Sequence, residues 1–215
     1  MLLFDIFFPR RCLFCGQVLV KGEKNVCLSC HKSFPYKANA EQEYRLKITE
    51  VAFENLDIFL DYAHCKTPIH RFKYGDDITS GRLLADLWAE HLKEKDWIKD
   101  IDLIIPIPLH RKKLYKRGFN QSEVLARVLS KRLGIPIVTN LVKRKVNNSP
   151  QITAENRWEN VRDVFALKRK PNLENKHILI IDDVITTSAT SNYFVKTLRG
   201  IKNLKVSFAY LSSNY

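Results

Sequence analysis

The sequence predicts an α/β protein, a mostly parallel sheet flanked by helices, preceded by a small four-cysteine zinc ribbon or knuckle. Three observations predict it. HILIIDD, residues 177–183, reads as a strand buried on both faces. Strand patterns alternate with helical ones from there to KVSFAYL and back through the middle of the chain, as parallel strands joined by crossovers require. Cys12, Cys15, Cys27 and Cys30 form C-x2-C-x11-C-x2-C, a spacing that can surround one ion with four thiolates. With 215 residues and 45% hydrophobic content, the chain can bury one ordinary core and carry an appendage.

The first residues, MLLFDIFFPRRC, carry their apolar stretch ahead of Arg10 and Arg11, with Asp5 interrupting it. That order is the reverse of a secretory leader. Leu2, Leu3, Phe4, Phe7 and Phe8 therefore read as a segment packed on the protein's own surface. No run approaches the roughly 18–20 apolar residues of a membrane span, and a cytoplasmic location is expected. The cysteines follow, with Gly16 and Gly22 easing the turns between them. A piece this small buries too little apolar surface to fold unaided, and a structural zinc ion would supply the difference. Another metal or an iron–sulfur cluster uses the same donors, and disulfides would suit an oxidising compartment. Four thiolates leave no open coordination position, which argues against catalysis at this metal. His31 reads as a bystander and Cys65 as a small buried hydrophobe. The knuckle is assigned to residues 1–36 and the α/β body to residues 37–215.

Within the body, the polar stretch from Tyr36 to Glu54 reads as a linker with some helix. Residues 57–62 predict a strand leading into HRFKYGDD. Leu83, Leu84, Leu87, Trp88 and Leu92 form one helical stripe. IDLIIPIP, residues 101–108, predicts a buried strand running into a proline-stiffened loop, LHRKKLYKRG. Asn120 and Glu123 have capping-box spacing ahead of a helix whose buried side carries Val124, Leu125, Val128, Leu129 and Leu133. Gly134 closes that helix, and IPIVT starts another short strand. Residues 140–163 lack periodicity and predict a long loop or a hairpin able to close over a site.

The formal charge is +13, which favours phosphate-rich partners. It is unevenly spread. Arg111, Lys112, Lys113, Lys116 and Arg117 crowd residues 110–118 without one acid, and Lys143, Arg144 and Lys145 form another cluster. These are the candidate nucleic-acid contacts, with Tyr115, Phe119 and Trp158 as candidate stacking groups.

The segment that most constrains function runs from Ile178 to Thr190. A buried strand ends in Asp182 and Asp183, and a hydroxyl-rich loop opens the next helix. Ligands of parallel sheets collect at this carboxyl edge. N–H groups at the helix start can enclose a phosphate, with Thr186, Thr187, Ser188, Ala189 and Thr190 around it. The carboxylates can accept bonds from vicinal hydroxyls or approach Mg²⁺. The bland alternative makes the aspartates a loop start and the threonines local caps. The P-loop pattern and the dinucleotide glycine fingerprint are both missing.

Residues 178–190 resemble the signature that binds 5-phosphoribosyl-1-diphosphate (PRPP) in type I phosphoribosyltransferases. The whole chain resembles the competence protein F (ComF/ComFC) family, in which a four-cysteine zinc element precedes such a domain. The other matching segments are Arg71-Phe-Lys73-Tyr-Gly75, Pro106-Ile-Pro108-Leu-His-Arg111, Lys116-Arg117-Gly118-Phe119-Asn120-Gln121 and Asn160-Val-Arg162-Asp-Val-Phe165. The resemblance implies a type I phosphoribosyltransferase-like sheet. Asp182 and Asp183 would face the ribose hydroxyls, Thr186–Thr190 the 5-phosphate, and Arg117 and Gly118 the pyrophosphate, with Mg²⁺ bridging. Ser188 stands where the commoner signature has glycine, so a positive φ there would cost about 1 kcal/mol. The family is implicated in natural transformation, which implies single-stranded DNA as a partner, contact with DNA-uptake proteins, and a place near the inner face of the membrane. Turnover of PRPP by a phosphoribosyltransferase, or a scaffold with an unused PRPP site, are the alternative functions. No residue identifies a catalytic base or a nucleobase pocket.

Overall fold

The computed structural model describes residues 9–37, 44–45, 47–50, 52–74, 77–145, 164–168 and 172–213. The apolar segment at residues 2–8 and Trp158 lie outside the described residues.

Four strands form one parallel sheet in the order β1-β6-β5-β2, where β1 is Leu56–Asp61, β2 is Leu103–Pro106, β5 is His177–Ile185 and β6 is Lys205–Ser213. A separate antiparallel hairpin pairs β3, Val142–Arg144, with β4, Phe165–Leu167. The helices are α1 (Leu28–Lys32), α2 (Tyr62–Tyr74), α3 (Ile78–Lys93), α4 (Arg111–Arg117), α5 (Gln121–Leu133) and α6 (Ala189–Lys196).

Alternation along β5 divides the core between the two faces of the sheet. Leu179 and Ile181 pack with α2, α3 and α5, against Phe72, Leu84, Trp88, Leu125 and Leu129. Ile178 and Ile180 face the other way, with Phe165, Phe194, Phe208 and Tyr210. Of the α3 stripe, Leu84, Trp88 and Leu92 are fully buried while Leu83 and Leu87 pack at its margin.

Five expectations are corrected. LHRKKLYKRG is not a loop: residues 111–117 are helical, and Gly118 caps the helix at φ +75°, a conformation that favours glycine. Asn120 makes no capping bond; its Nδ2 donates to the Ile107 carbonyl at 3.1 Å, and Glu123 accepts from Arg127 instead. The polar stretch before β1 is not merely a linker, because Tyr44, Ile48 and Phe53 are buried in the second core. Asn192 of α6 holds it there, its Oδ1 accepting from the N–H groups of Thr49 and Glu50 at 2.9 and 3.1 Å. The strand after Gly134 is reduced to one bridge, Ile104 to Ile137. Finally, β5 continues past the two aspartates to Ile185.

The knuckle is joined to this body through aromatic rings. Phe14 meets Phe34 at 5.3 Å, Phe34 meets Phe59 of β1 at 5.6 Å, and Tyr36 stacks on His91 of α3 at 5.5 Å. Cys65 is buried and donates through Sγ to the Asp61 carbonyl, as expected of a small core residue.

Candidate functional site: a cation-rimmed cavity and a zinc ribbon

At the carboxyl edge of the sheet, β5 delivers Asp182 and Asp183 into a cavity of about 300 Å³. Adjacent residues of a strand point to opposite faces, so the two carboxylates have different surroundings. Asp182 accepts from Ser122 Oγ at 2.6 Å and from the Asp183 N–H at 2.9 Å. Asp183 pairs with Lys73 at 3.1 Å, an ion pair with both side chains mostly buried. Lys113, Arg117 and Arg144 complete the rim. Among the described residues, four cations therefore line the cavity with two carboxylates, a layout that suits an anionic ligand.

The electrostatics agree with that layout. Burial, and then the neighbouring Asp183 charge, push Asp182 up to about 7. Burial works against the Lys73 ammonium, but Asp183 and Asp182 outweigh it and hold its pKa up. Lys113 is pushed down by burial and by the Arg144 and Arg117 charges.

Because the folded state binds the Asp182 proton more tightly than the unfolded chain does, its stabilising contribution is complete below about pH 4. It is lost as pH rises through about 7. Asp182→Asn should thus raise Tm at pH 8 by at least about 2–4 °C, the equivalent of ~1 kcal/mol, and leave it unchanged at pH 4. Calorimetric scans at the two pH values check this; a lower Tm at pH 8 would show that the carboxylate is structural.

The loop beyond β5 brings the remaining predicted residues to the same edge. Thr190 lines the cavity, Thr186 and Thr187 are exposed, Ser188 is buried, and Ala189 begins α6. Ser188 adopts φ +58°, so serine does carry the left-handed strain weighed above. Its buried hydroxyl has no partner among the described residues. A strained residue with an unpaired hydroxyl ahead of a helix N-terminus suits a ligand that accepts that bond.

Helix α4 sorts its charges by helical spacing. Lys113 and Arg117, four residues apart, face the cavity, while Arg111, Lys112, Tyr115 and Lys116 are exposed. Gly118 is the cap of α4 and not part of the cavity lining. On β3 the strand alternation turns Arg144 toward the cavity and leaves Lys143 and Lys145 exposed. Lys113 and Arg144 therefore line the cavity, whereas Arg111, Lys112, Lys116, Lys143 and Lys145 are exposed. Phe119 stacks on Phe72 inside the core, whereas Tyr115 is 94% exposed. Sequence reasoning gave no role to Lys73, Gln121 or Ser122. RFKYGDD and the FNQS turn marked their segments, but only the packing of α2 and α5 on β5 carries them to the aspartates.

At the other end of the chain, the four cysteine Sγ atoms all lie within 4.8 Å of one another, and Cys15 and Cys27 are 3.7 Å apart. Zn–S bonds of about 2.3 Å in a tetrahedron require separations of this size. The Cys27 N–H points to Cys12 Sγ and the Cys30 N–H to Cys27 Sγ, which favours thiolates. Burial opposes ionisation of Cys12, but N–H groups from Cys15, Cys27 and Phe14 bring it down to about 6. Glu23 braces the ribbon by accepting from the N–H groups of Val20 and Leu28 at 2.8 and 2.6 Å.

Comparison with known proteins joins these two sites. A double zinc ribbon domain family matches residues 3–41, and a phosphoribosyl transferase domain family matches residues 120–214. Competence protein F of Haemophilus influenzae is 30% identical, across 93% of this chain and 96% of its own length. The chain belongs to the competence protein F family. DNA utilization protein YhgH of Escherichia coli K12 is 27% identical over 85% of this chain and 87% of its own. Among solved structures, an adenine phosphoribosyltransferase from Leishmania donovani aligns at 12% identity with a TM-score of 0.43, over 84% of this chain and 87% of its own. This competence protein F family member has five cysteines, four of them at the ribbon. Among the described residues, one four-cysteine cluster lies within the stretch that the ribbon family matches. No helix among the described residues is long and apolar enough to cross a membrane.

Proposed function

We propose that the protein binds PRPP with Mg²⁺ in the Asp182–Asp183 cavity, and that it binds and handles single-stranded DNA during natural transformation in the cytoplasm. The observation that carries this reading is the charge layout of the cavity: two carboxylates at the end of β5 facing Lys73, Lys113, Arg117 and Arg144. Vicinal ribose hydroxyls suit the carboxylates, a 5-phosphate suits residues 186–190, and the pyrophosphate suits the four cations. Asp182 and Asp183 also offer the hard oxygen donors that Mg²⁺ takes.

The DNA role draws on the names of the relatives, Competence protein F and DNA utilization protein, and on the outer face of α4. That face presents Arg111, Lys112 and Lys116 beside the exposed Tyr115, with no acid in the helix. Cations that track phosphates, next to an aromatic ring that stacks bases, favour single strands.

Titration calorimetry with PRPP tests the first half. Heat of binding that grows with Mg²⁺ and disappears in Asp182→Asn/Asp183→Asn is expected; no heat in the wild type, or an unchanged titration in the double variant, would end the reading. For the second half, a labelled oligonucleotide and its duplex are titrated across a salt series. Affinity for the single strand should exceed that for the duplex and fall steeply with salt. Arg111→Glu/Lys112→Glu should lower it at least about tenfold, the loss of two phosphate contacts, without changing PRPP binding. Equal affinity for strand and duplex would reduce the surface to general charge.

A further inference from the structure

A groove of about 670 Å³ lies between α3 and α5, and none of its described lining residues borders the Asp182–Asp183 cavity. From α5 it takes Val124, Arg127, Val128, Lys131 and Arg132, the i, i+3, i+4, i+7, i+8 positions of one helical face. Leu125, Ala126 and Leu129 beside them are fully buried. Val124 and Val128 only lean on that core and stay partly exposed. The apolar side of α5 is therefore wider than the core it packs on, and the surplus forms the floor of the groove.

The rims are charged, mostly with one sign. Arg82 and Lys93 stand on the α3 side and Arg127, Lys131 and Arg132 on the α5 side, with Asp86 as the one acid among the described lining residues. Asp86 is already paired with Arg132, whose Nε lies 2.7 Å from it. Arg127 and Lys93 pair with Glu123 and Glu90 of their own helices in surface contacts, which exchange readily for others. No ion pair engages Arg82 or Lys131 among the described residues.

Cations over an aliphatic floor select the occupant. A nucleic-acid strand would satisfy the cations, but the described lining residues include no aromatic ring on which its bases could stack. A second copy related by a two-fold axis would set the same cations against themselves. A polypeptide helix with aliphatic side chains on one face and carboxylates beside them satisfies both floor and rims. We propose that the α3–α5 groove docks an acidic amphipathic helix of a partner protein. The rise from Val124 to Arg132 is about 12 Å, which about two to three turns of partner helix would cover.

Fluorescence anisotropy with synthetic helical peptides tests this in about 0.15 M salt, where distant charges are screened. The probe carries leucines at i, i+3, i+4 and i+7 with glutamates on either side. A control of the same composition scatters its leucines round the helix. The wild-type protein should bind the probe at least about tenfold more tightly than the control, the worth of one buried leucine side chain. Arg82→Gln/Lys131→Gln should weaken the probe about fivefold, two surface ion pairs being lost, and leave a single-stranded oligonucleotide within about twofold of its wild-type affinity. Val128→Asp, which sets a carboxylate on the floor, should lower probe affinity at least about tenfold, with Tm measured to show that the body is folded. Equal binding of probe and control, or a probe indifferent to both variants, would overturn the docking site. So would an oligonucleotide weakened more than the probe by Arg82→Gln/Lys131→Gln, which would hand the groove to nucleic acid. A dimer in sedimentation that Val128→Asp dissociates would hand it to a second copy and overturn it equally.

Discussion

Cys27→Ser is expected to release the zinc ion and unfold the ribbon while the parallel sheet remains folded. Among the described residues, the ribbon's own core holds Cys12, Leu19 and Cys27, with Phe14, Val26 and Cys30 against it. Structural zinc in elements of this size contributes apparent binding energies of about 10–16 kcal/mol, and so little apolar burial has nothing comparable to replace it. Elemental analysis should fall from about one zinc per chain to almost none. Hydrogen exchange supplies the second reading. The amides of Cys12, Leu13 and Leu19, bonded to Gln17, Asn25 and Arg10 at 2.7, 2.9 and 2.8 Å, should lose protection, and those of β5 and β6 should keep it. Retained protection in the zinc-free variant would mean that the ribbon folds without metal. Phe34 and Tyr36, which rest on Phe59 and His91, set how far the disturbance spreads into β1 and α3.

Gly81→Ala should destabilise the body and weaken the anion site together. A Cβ at this position of α3 would stand 2.1–2.6 Å from three atoms of the Phe72 ring, closer than any real contact. Phe72 is fully buried and stacked on Phe119, so it has no open side to move into. Overpacking of this kind costs about 1–3 kcal/mol or more, or roughly 2–12 °C in Tm at this chain length. Phe72 directly precedes Lys73, so α2 cannot yield without carrying Lys73 away from Asp183. PRPP affinity should fall at least about tenfold, the loss of one charge-assisted contact. Restoring room with Phe72→Leu in the same chain should recover part of both losses, and the coupling between the two changes measures the shared contact. An unchanged Tm would show that α2 and α3 separate freely.

These two sites differ in how far the amino-acid sequence alone determines them. The zinc ribbon is local: four cysteines within nineteen positions already lie within reach of one ion, and the chemistry of thiolates does the rest. The buried strands are nearly as plain, because a parallel strand covered on both faces must be apolar along its length. HILII and LII read as strands on that ground, although β5 runs on past Asp182 and Asp183 to a buried Ile185. What the sequence could not decide is which side chains from distant segments meet those aspartates. Lys73 reaches Asp183 only because Gly81 lets α2 and α3 approach, and Ser122 reaches Asp182 only because α5 packs on β5. The same holds for the division of charge. Residues 111–117 read as one basic run, but folded into α4 they split by helical spacing into Lys113 and Arg117 at the cavity and Arg111, Lys112 and Lys116 in solvent. Local spacing determines a metal ligand set or a strand; a site assembled from five segments is determined by the packing that brings them together.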